Sequence, residues 1–158
     1  MLMRAGAVGI FVLVMLLCVP PAMAANEDRY GYIKVETVSI QLDDATATIN
    51  VNYTVDEGTR FIFFLLGKQD LKNKLLTILN YQDAQIKHIN LSSAEFTVNS
   101  ASYSYGDGIY WYPSHDFNVV IPALTVETPQ ATRSFVNANR FPAGMGYFSS
   151  EPQPPPQK

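Results

Sequence analysis

The chain has 158 residues, 11 basic and 14 acidic side chains, a formal net charge of −3 and one cysteine, Cys18. Proteins that bind nucleic acid or anionic membranes concentrate positive charge, and this mildly acidic sequence has no cluster of lysine and arginine, so neither class of partner is expected. A single cysteine excludes an intramolecular disulfide, and a folded domain must therefore be stabilised by packing.

Residues 1–24 have the order of a secretory signal peptide. Arg4 precedes an apolar run over residues 5–19, and the segment ends in the small-x-small triplet Ala22-Met23-Ala24. The run is short for a bilayer core of roughly 30 Å. We therefore expect cleavage after Ala24, no stable membrane insertion afterwards, and a secreted or cell-surface protein. The alternative is a retained N-terminal membrane anchor.

The remainder divides into one β-rich globular domain, residues 25–148, and a proline-rich tail, residues 149–158. The tail, SSEPQPPPQK, has no apolar side chains beyond its prolines. Such a segment cannot bury a core, and we expect it to be disordered and partly polyproline in conformation.

The first elements of the domain read as an antiparallel hairpin. From Ala45 to Val55 every second residue is apolar or aromatic and the others are Thr or Asn, which is typical of a strand with one face in water. The preceding apolar residues change parity near Glu36 and Thr37, which predicts a bulge there.

The middle of the domain predicts a strand, a helix and another strand. Residues 60–67, RFIFFLLG, are apolar without alternation, which suits a strand covered on both faces. Leu71, Leu75, Ile78 and Leu79 then recur at helical spacing, and they predict an amphipathic helix that packs on the sheet. A further strand is expected near residues 85–91.

Alternating residues predict further strands at 94–98, 117–121 and 124–126. The prolines between them, such as Pro122, are expected at strand ends or sheet edges. The expected fold class is mainly β or α+β: an antiparallel-rich sheet or sandwich with one amphipathic helix packed on a sheet.

The segment SYSYGDGIYWYP, residues 102–113, predicts a hairpin whose register decides where its aromatic rings point. A two-residue turn at Asp107-Gly108 would place all four tyrosines on one face. A three-residue loop over 106–108 would instead pair Tyr103 with Trp111 and spread the aromatic residues over both faces.

These rings suggest either cross-strand core packing or a ligand surface. Core packing is the more common use of strand aromatics, whereas an exposed tyrosine row is typical of sugar-binding surfaces. The candidate ligand-binding residues are Tyr103, Tyr105, Tyr110, Trp111 and Tyr112.

The sequence offers little for catalysis. Neighbouring side chains in the extended segment Ser114-His115-Asp116 point to alternate sides, so they do not form a triad. His88 and His115 lack the short spacing of a metal-binding pair. We expect no catalytic residue, no metal and no cofactor.

Two sequons occur, at Asn52-Tyr53-Thr54 and Asn90-Leu91-Ser92. Asn52 has the polar parity of its strand, so it is the candidate for glycosylation, whereas Asn90 is not expected to be modified.

In overall texture the domain resembles uncharacterised exported proteins of methanogenic archaea. The segments that carry this resemblance are NYTVDEGTR, the Leu-Gly-Lys before the helix, and FPAGMGYF. The resemblance implies a cell-surface setting in which Asn-glycosylation is available, and it attaches no activity to any residue.

Three functions are consistent with the sequence. The first is an exported, non-catalytic surface or interaction domain whose partner is a cell-envelope protein or a glycan. The second is a carbohydrate-binding module that uses the hairpin at 103–112, and the third is a hydrolase with an unrecognised site. The first predicts mainly buried aromatics, the second an exposed tyrosine row, and the third a histidine beside a carboxylate in a pocket.

Overall fold

A computed structural model describes residues 31–150, so the expected signal peptide and the tail from residue 151 onwards lie outside the described residues. Within this range the chain forms nine strands and two helices, which we number in chain order. They are β1 (Ile33–Asp43), β2 (Thr46–Val55), α1 (Glu57–Leu66), α2 (Gln69–Leu79), β3 (Ala84–Ile89), β4 (Ser93–Val98), β5 (Tyr103–Gly106), β6 (Ile109–Tyr112), β7 (His115–Glu127), β8 (Thr132–Phe141) and β9 (Met145–Phe148).

The strands form two sheets, and the expected mainly β fold is confirmed. The large sheet has the order β3-β4-β2-β1-β7-β8, and the small sheet has the order β5-β6-β9. All neighbouring strands are antiparallel except β1 and β7, which are parallel. The expected β1–β2 hairpin is present, and its register shifts between Val35 and Thr37, where the change of parity predicted a bulge.

The prediction of a strand at residues 60–67 is wrong, because residues 60–66 form the second part of helix α1. The Asp56 side chain accepts a hydrogen bond from the Gly58 backbone N–H at 3.2 Å and so caps the helix, and Gly67 follows its last residue. An apolar run without alternation fits a helix as well as a buried strand, and the N-cap signal decides between them. The expected strand–helix–strand order is therefore two consecutive helices followed by β3, which is the further strand expected near residues 85–91.

Helix α2 confirms the predicted apolar stripe. Its four buried residues are Leu71, Leu75, Ile78 and Leu79, and the helix packs against β7 and β3. Asn80 ends the helix in the left-handed conformation, with φ 59°.

Pro122 lies inside a single long strand, β7, rather than between two strands. Pairing of β7 with β1 begins only at Ala123, so the missing N–H of Pro122 removes no bond from that ladder. This arrangement joins the two strands that were expected at 117–121 and 124–126.

One hydrophobic core connects both sheets. It combines the buried face of the large sheet, the stripe of α2, and the inner residues Tyr112, Met145 and Tyr147 of the small sheet. The small sheet is tied to the β1–β2 turn, because Ser102 N donates to Ala45 O at 3.2 Å and the Tyr147 hydroxyl donates to Asp44 O. Among residues 31–150, neither helix has the length and apolar character that a membrane crossing requires.

Candidate binding surface on the small sheet

The aromatic hairpin turns at Asp107 and Gly108. Both residues have positive φ, 50° and 70°, and Gly106 pairs with Ile109. A two-residue turn with two positive φ angles matches the right-handed twist of the strands that it joins, which explains the Asp-Gly sequence at this position.

A bulge at Tyr105 then changes the register. Beyond it Ser104 pairs with Tyr110, and Tyr103 pairs with Trp111. The hairpin therefore has the turn of the first expected register and the strand pairing of the second. A β-bulge inserts one unpaired residue, so each residue on the side of the bulge away from the turn pairs with a different partner.

This register produces an exposed outer face on the small sheet, which we call the aromatic face. Tyr103 and Trp111 are opposite each other on it, and Ile109 is opposite Phe148 on β9. We include in it Tyr105, the exposed residue at the bulge; all five members are uncharged, and their exposed fractions are Tyr103 64%, Tyr105 71%, Ile109 42%, Trp111 40% and Phe148 61%. Exposed apolar side chains gathered on one small sheet are typical of contact surfaces.

The indole of Trp111 lies against two glycines of the adjoining segment. A Cβ added to Gly144 would be 2.6 Å from Cζ2 of Trp111, and one added to Gly146 would be 3.5 Å from its Cε3. Gly146 is also the direct cross-strand partner of Trp111. The six-membered ring therefore lies against both glycines, which support the partly exposed indole.

Tyr110 and Tyr112 lie on the inner face of the same sheet. Tyr110 stacks on Tyr147 with ring centroids 5.7 Å apart, and Tyr112 is only 1% exposed. The Tyr112 hydroxyl is hydrogen-bonded to that of Tyr81, and burial raises the pKa of Tyr112 to about 12. Of the five candidate residues, Tyr103 and Trp111 share the outer face and Tyr105 is exposed at the bulge, whereas these two pack inward.

The sequence reasoning missed the contribution of β9. Phe148 and the two glycines lie in FPAGMGYF, where Met145 and Tyr147 are buried and Phe148 is exposed. This alternation over four residues is the signal that could have identified the strand, but it is very short.

The outer edge of β9 is held by the β7–β8 turn. The Gln130 side-chain amide accepts from Phe148 N and donates to Phe148 O, both at 3.1 Å, so it imitates a neighbouring strand. Arg133 Nη1 also donates to Gly144 O at 3.3 Å. These bonds hold β9, which carries Phe148 and Gly146, and the preceding residue Gly144 in place.

His115 is engaged in packing. Its ring stacks on Tyr81 with centroids 3.8 Å apart, and its Nε2 lies 2.8 Å from the carbonyl oxygen of Leu79. Burial lowers the pKa of His115 below its ordinary value. Asp116 binds Arg140 instead, with 2.8 Å between Nη2 and Oδ2, and this hydrogen bond lowers the pKa of the Asp116 carboxyl.

The second histidine, His88, is exposed on β3, opposite Glu95 of β4. Throughout residues 31–150, His, Asp and Glu side chains do not gather in threes at positions that could hold a metal ion.

The glycosylation candidate Asn52 is exposed on the polar face of the large sheet. Its Nδ2 donates to Thr37 Oγ1 at 2.9 Å, beside a shallow groove of about 440 Å³ that Glu36 and Arg60 also line. Asn90, in the second sequon, accepts bonds from Ser92 N and Ser93 N at 2.7 Å and so organises the β3–β4 turn.

Comparison of the chain with protein-family models, with curated proteins and with solved structures finds no match.

Proposed function

We propose that this protein is an exported, non-catalytic binding domain whose contact surface is the aromatic face. The observation that carries the proposal is the exposure of the paired residues Tyr103 and Trp111, beside the exposed bulge residue Tyr105, on a sheet whose other side is anchored in the core. Rings on a fixed support provide a large contact area and lose little conformational entropy on binding.

Rigidity of the surface supports this function. The aromatic face lies on strands held by the Tyr147 hydroxyl, by the Gln130 amide and by the two glycines under Trp111. A surface that needs no rearrangement avoids much of the entropic cost of association. The secretory pattern of residues 1–24 supports a partner outside the cell, in the envelope.

A carbohydrate ligand is the second candidate, and the position of Trp111 favours it. The indole lies against two glycines and is still 40% exposed, and Tyr103 is its direct neighbour across the strands. Flat aromatic rings cover the apolar C–H faces of sugar rings, and tyrosine hydroxyls supply polar contacts at the edge.

Co-sedimentation of the exported protein with isolated cell envelopes of its source organism tests the proposal. We expect binding by the parent protein and a loss of at least about tenfold in affinity in Trp111→Ala, since truncation of a central aromatic residue costs about 2 kcal/mol or more. Phe61→Ala is the matched control, because Phe61 is an exposed aromatic residue of α1, 69% exposed and outside the aromatic face.

Equal binding by the parent and Trp111→Ala proteins would exclude the aromatic face as the contact surface. A glycan array then distinguishes the two ligand classes. Binding to arrayed oligosaccharides that is lost in Tyr103→Ala supports a carbohydrate, whereas an array without signal, together with envelope binding that protease treatment of the envelopes abolishes, supports a protein partner.

A further inference from the structure

We infer that the chain's own proline-rich tail, residues 151–158, docks on the aromatic face and competes there with the external ligand. This inference rests on the proposed function, because it assigns a regulator to the same surface. The occupant has the sequence EPQPPPQK.

The described chain ends close to this surface. Phe148 is both a member of the aromatic face and the last residue of β9. Ser149 N then donates to Gly108 O at 2.7 Å, whereas the Ser149 and Ser150 hydroxyls donate to Asp44 Oδ1 and Asp43 Oδ1 at 2.8 and 3.0 Å. The last described residues therefore lie between the turn of the aromatic hairpin and the β1–β2 turn.

The length of the tail is sufficient to cross the face. A polyproline helix rises about 3.1 Å per residue, so eight residues reach about 25 Å. Trp111 lies three residues along β6 from Gly108, a distance of about 10 Å at strand spacing. The first residues of the tail can therefore reverse direction and still leave the three consecutive prolines, residues 154–156, over the rings.

The chemistry of the tail fits the surface. Proline-rich segments dock on exposed tyrosine and tryptophan rings, because the pyrrolidine rings pack on aromatic faces and the extended helix is already ordered before binding. Tyr103, Tyr105 and Trp111 provide such rings and carry no charge. Covalent attachment adds an effective concentration that reaches the millimolar range for short linkers, so even a weak contact is populated.

Docking of the tail would reduce the affinity for the external ligand. The apparent dissociation constant rises in inverse proportion to the fraction of free surface, so a tail that covers the face nine-tenths of the time weakens binding about tenfold. The tail would then act as a built-in competitor that only an abundant or multivalent ligand displaces.

Trp111 is the only tryptophan in the chain, so its fluorescence reports directly on this surface. The test compares acrylamide quenching in the exported parent protein and in a full-length variant with Pro152, Pro154, Pro155 and Pro156 all changed to Ser. We expect quenching of the serine variant to be stronger by about twofold, with emission shifted to the red, because the ring loses its cover. The matched control, Gln153→Ser with Gln157→Ser, alters the same tail but keeps its prolines, and it should behave as the parent.

Identical quenching and emission in the parent and serine variants would overturn the inference. Protection that increases with protein concentration would also overturn it, since it would assign the face to a second copy. Envelope binding distinguishes this inference from the proposed function. If quenching is unchanged in the serine variant and the variant still binds envelopes through Trp111, the proposed function stands and only the docking of the tail is excluded. Stronger envelope binding by the serine variant, together with stronger quenching, supports both.

Discussion

Trp111 and Gly144 are in direct contact, and the space between them admits no side chain on the glycine. A Cβ at Gly144 would lie 2.6 Å from Cζ2 of Trp111 and 2.8 Å from the carbonyl oxygen of Tyr112. Gly144 also has φ 67°, a conformation that residues with a side chain adopt at a cost. The position of the exposed indole therefore depends on Gly144, which follows Trp111 by 33 residues in the sequence.

Gly144→Ala should displace Trp111 and destabilise the domain. The left-handed backbone costs about 1–2 kcal/mol for alanine, and the clash with the Tyr112 backbone adds a further cost of about 1–3 kcal/mol. Urea unfolding, followed by Trp111 fluorescence, measures both the stability and the environment of the indole.

Gly106→Ala is the control for this change. Gly106 has φ 86°, but a Cβ there would meet no atom within 4 Å, so the variant should lose only the backbone contribution. Equal losses of stability in the two glycine variants would mean that the contact with Trp111 contributes nothing.

Leu75→Asp should destabilise the domain by several kcal/mol, because it places an unpaired charge in the core and removes packing. Leu75 is fully buried on α2, whereas Asn73 of the same helix is exposed. Asn73→Asp introduces the same charge at the surface and should change the melting temperature by a degree or two at most. A Leu75→Asp protein that melts with the parent would mean that α2 is peripheral.

Gln130→Ala should release the outer edge of β9. The Phe148 amide loses its acceptor, so its hydrogen exchange should accelerate by about tenfold, which corresponds to one hydrogen bond of about 1.4 kcal/mol. Gln130→Glu keeps the acceptor for Phe148 N but loses the donor to Phe148 O. The exchange rate of the Phe148 amide should therefore be closer to that of the parent in Gln130→Glu than in Gln130→Ala. Unchanged exchange in Gln130→Ala would show that the amide does not hold the strand.

Acidification should destabilise the domain partly through His115. Because burial lowers its pKa in the folded protein, the unfolded chain binds the proton more tightly. The stabilisation is fully present above the ordinary histidine pKa of about 6.5 and is lost as the pH falls below it. The groups that face the ring are Tyr81, Phe117 and the Leu79 carbonyl, and the neighbouring charged residue is Asp116.

Chemical denaturation of the parent and His115→Gln proteins between pH 7 and pH 5 measures this contribution. The parent should lose more stability over that interval than the variant. Parallel pH profiles for the parent and His115→Gln would contradict the assignment.

The alternation of side chains made much of the fold predictable. The strict period from Ala45 to Val55 identified β2, and the change of parity near Glu36 located the bulge in β1. The helical stripe from Leu71 to Leu79 identified α2. In these segments one face is buried and the other is in water, so the spacing of apolar and polar residues in the sequence matches the spacing of buried and exposed positions.

Prediction from the spacing of apolar residues failed where that spacing has no regular period. Residues 61–66 are all apolar in the sequence, and only the cap at Asp56 distinguishes a helix from a buried strand. At the candidate site, a single unpaired residue, Tyr105, decides which rings point outward, and composition does not indicate which residue is unpaired. The supporting contact of Trp111 with Gly144 joins distant parts of the chain, so no local pattern could reveal it.

Hydrogen–deuterium exchange of the exported protein, with and without isolated cell envelopes, tests most directly whether the aromatic face is the contact surface. We expect envelopes to slow amide exchange in β5, β6 and β9, residues 103–112 and 145–148, and we expect this protection to disappear in Trp111→Ala. Protection centred instead on the groove beside Glu36, Asn52 and Arg60, with exchange in the small sheet unchanged, would contradict this expectation.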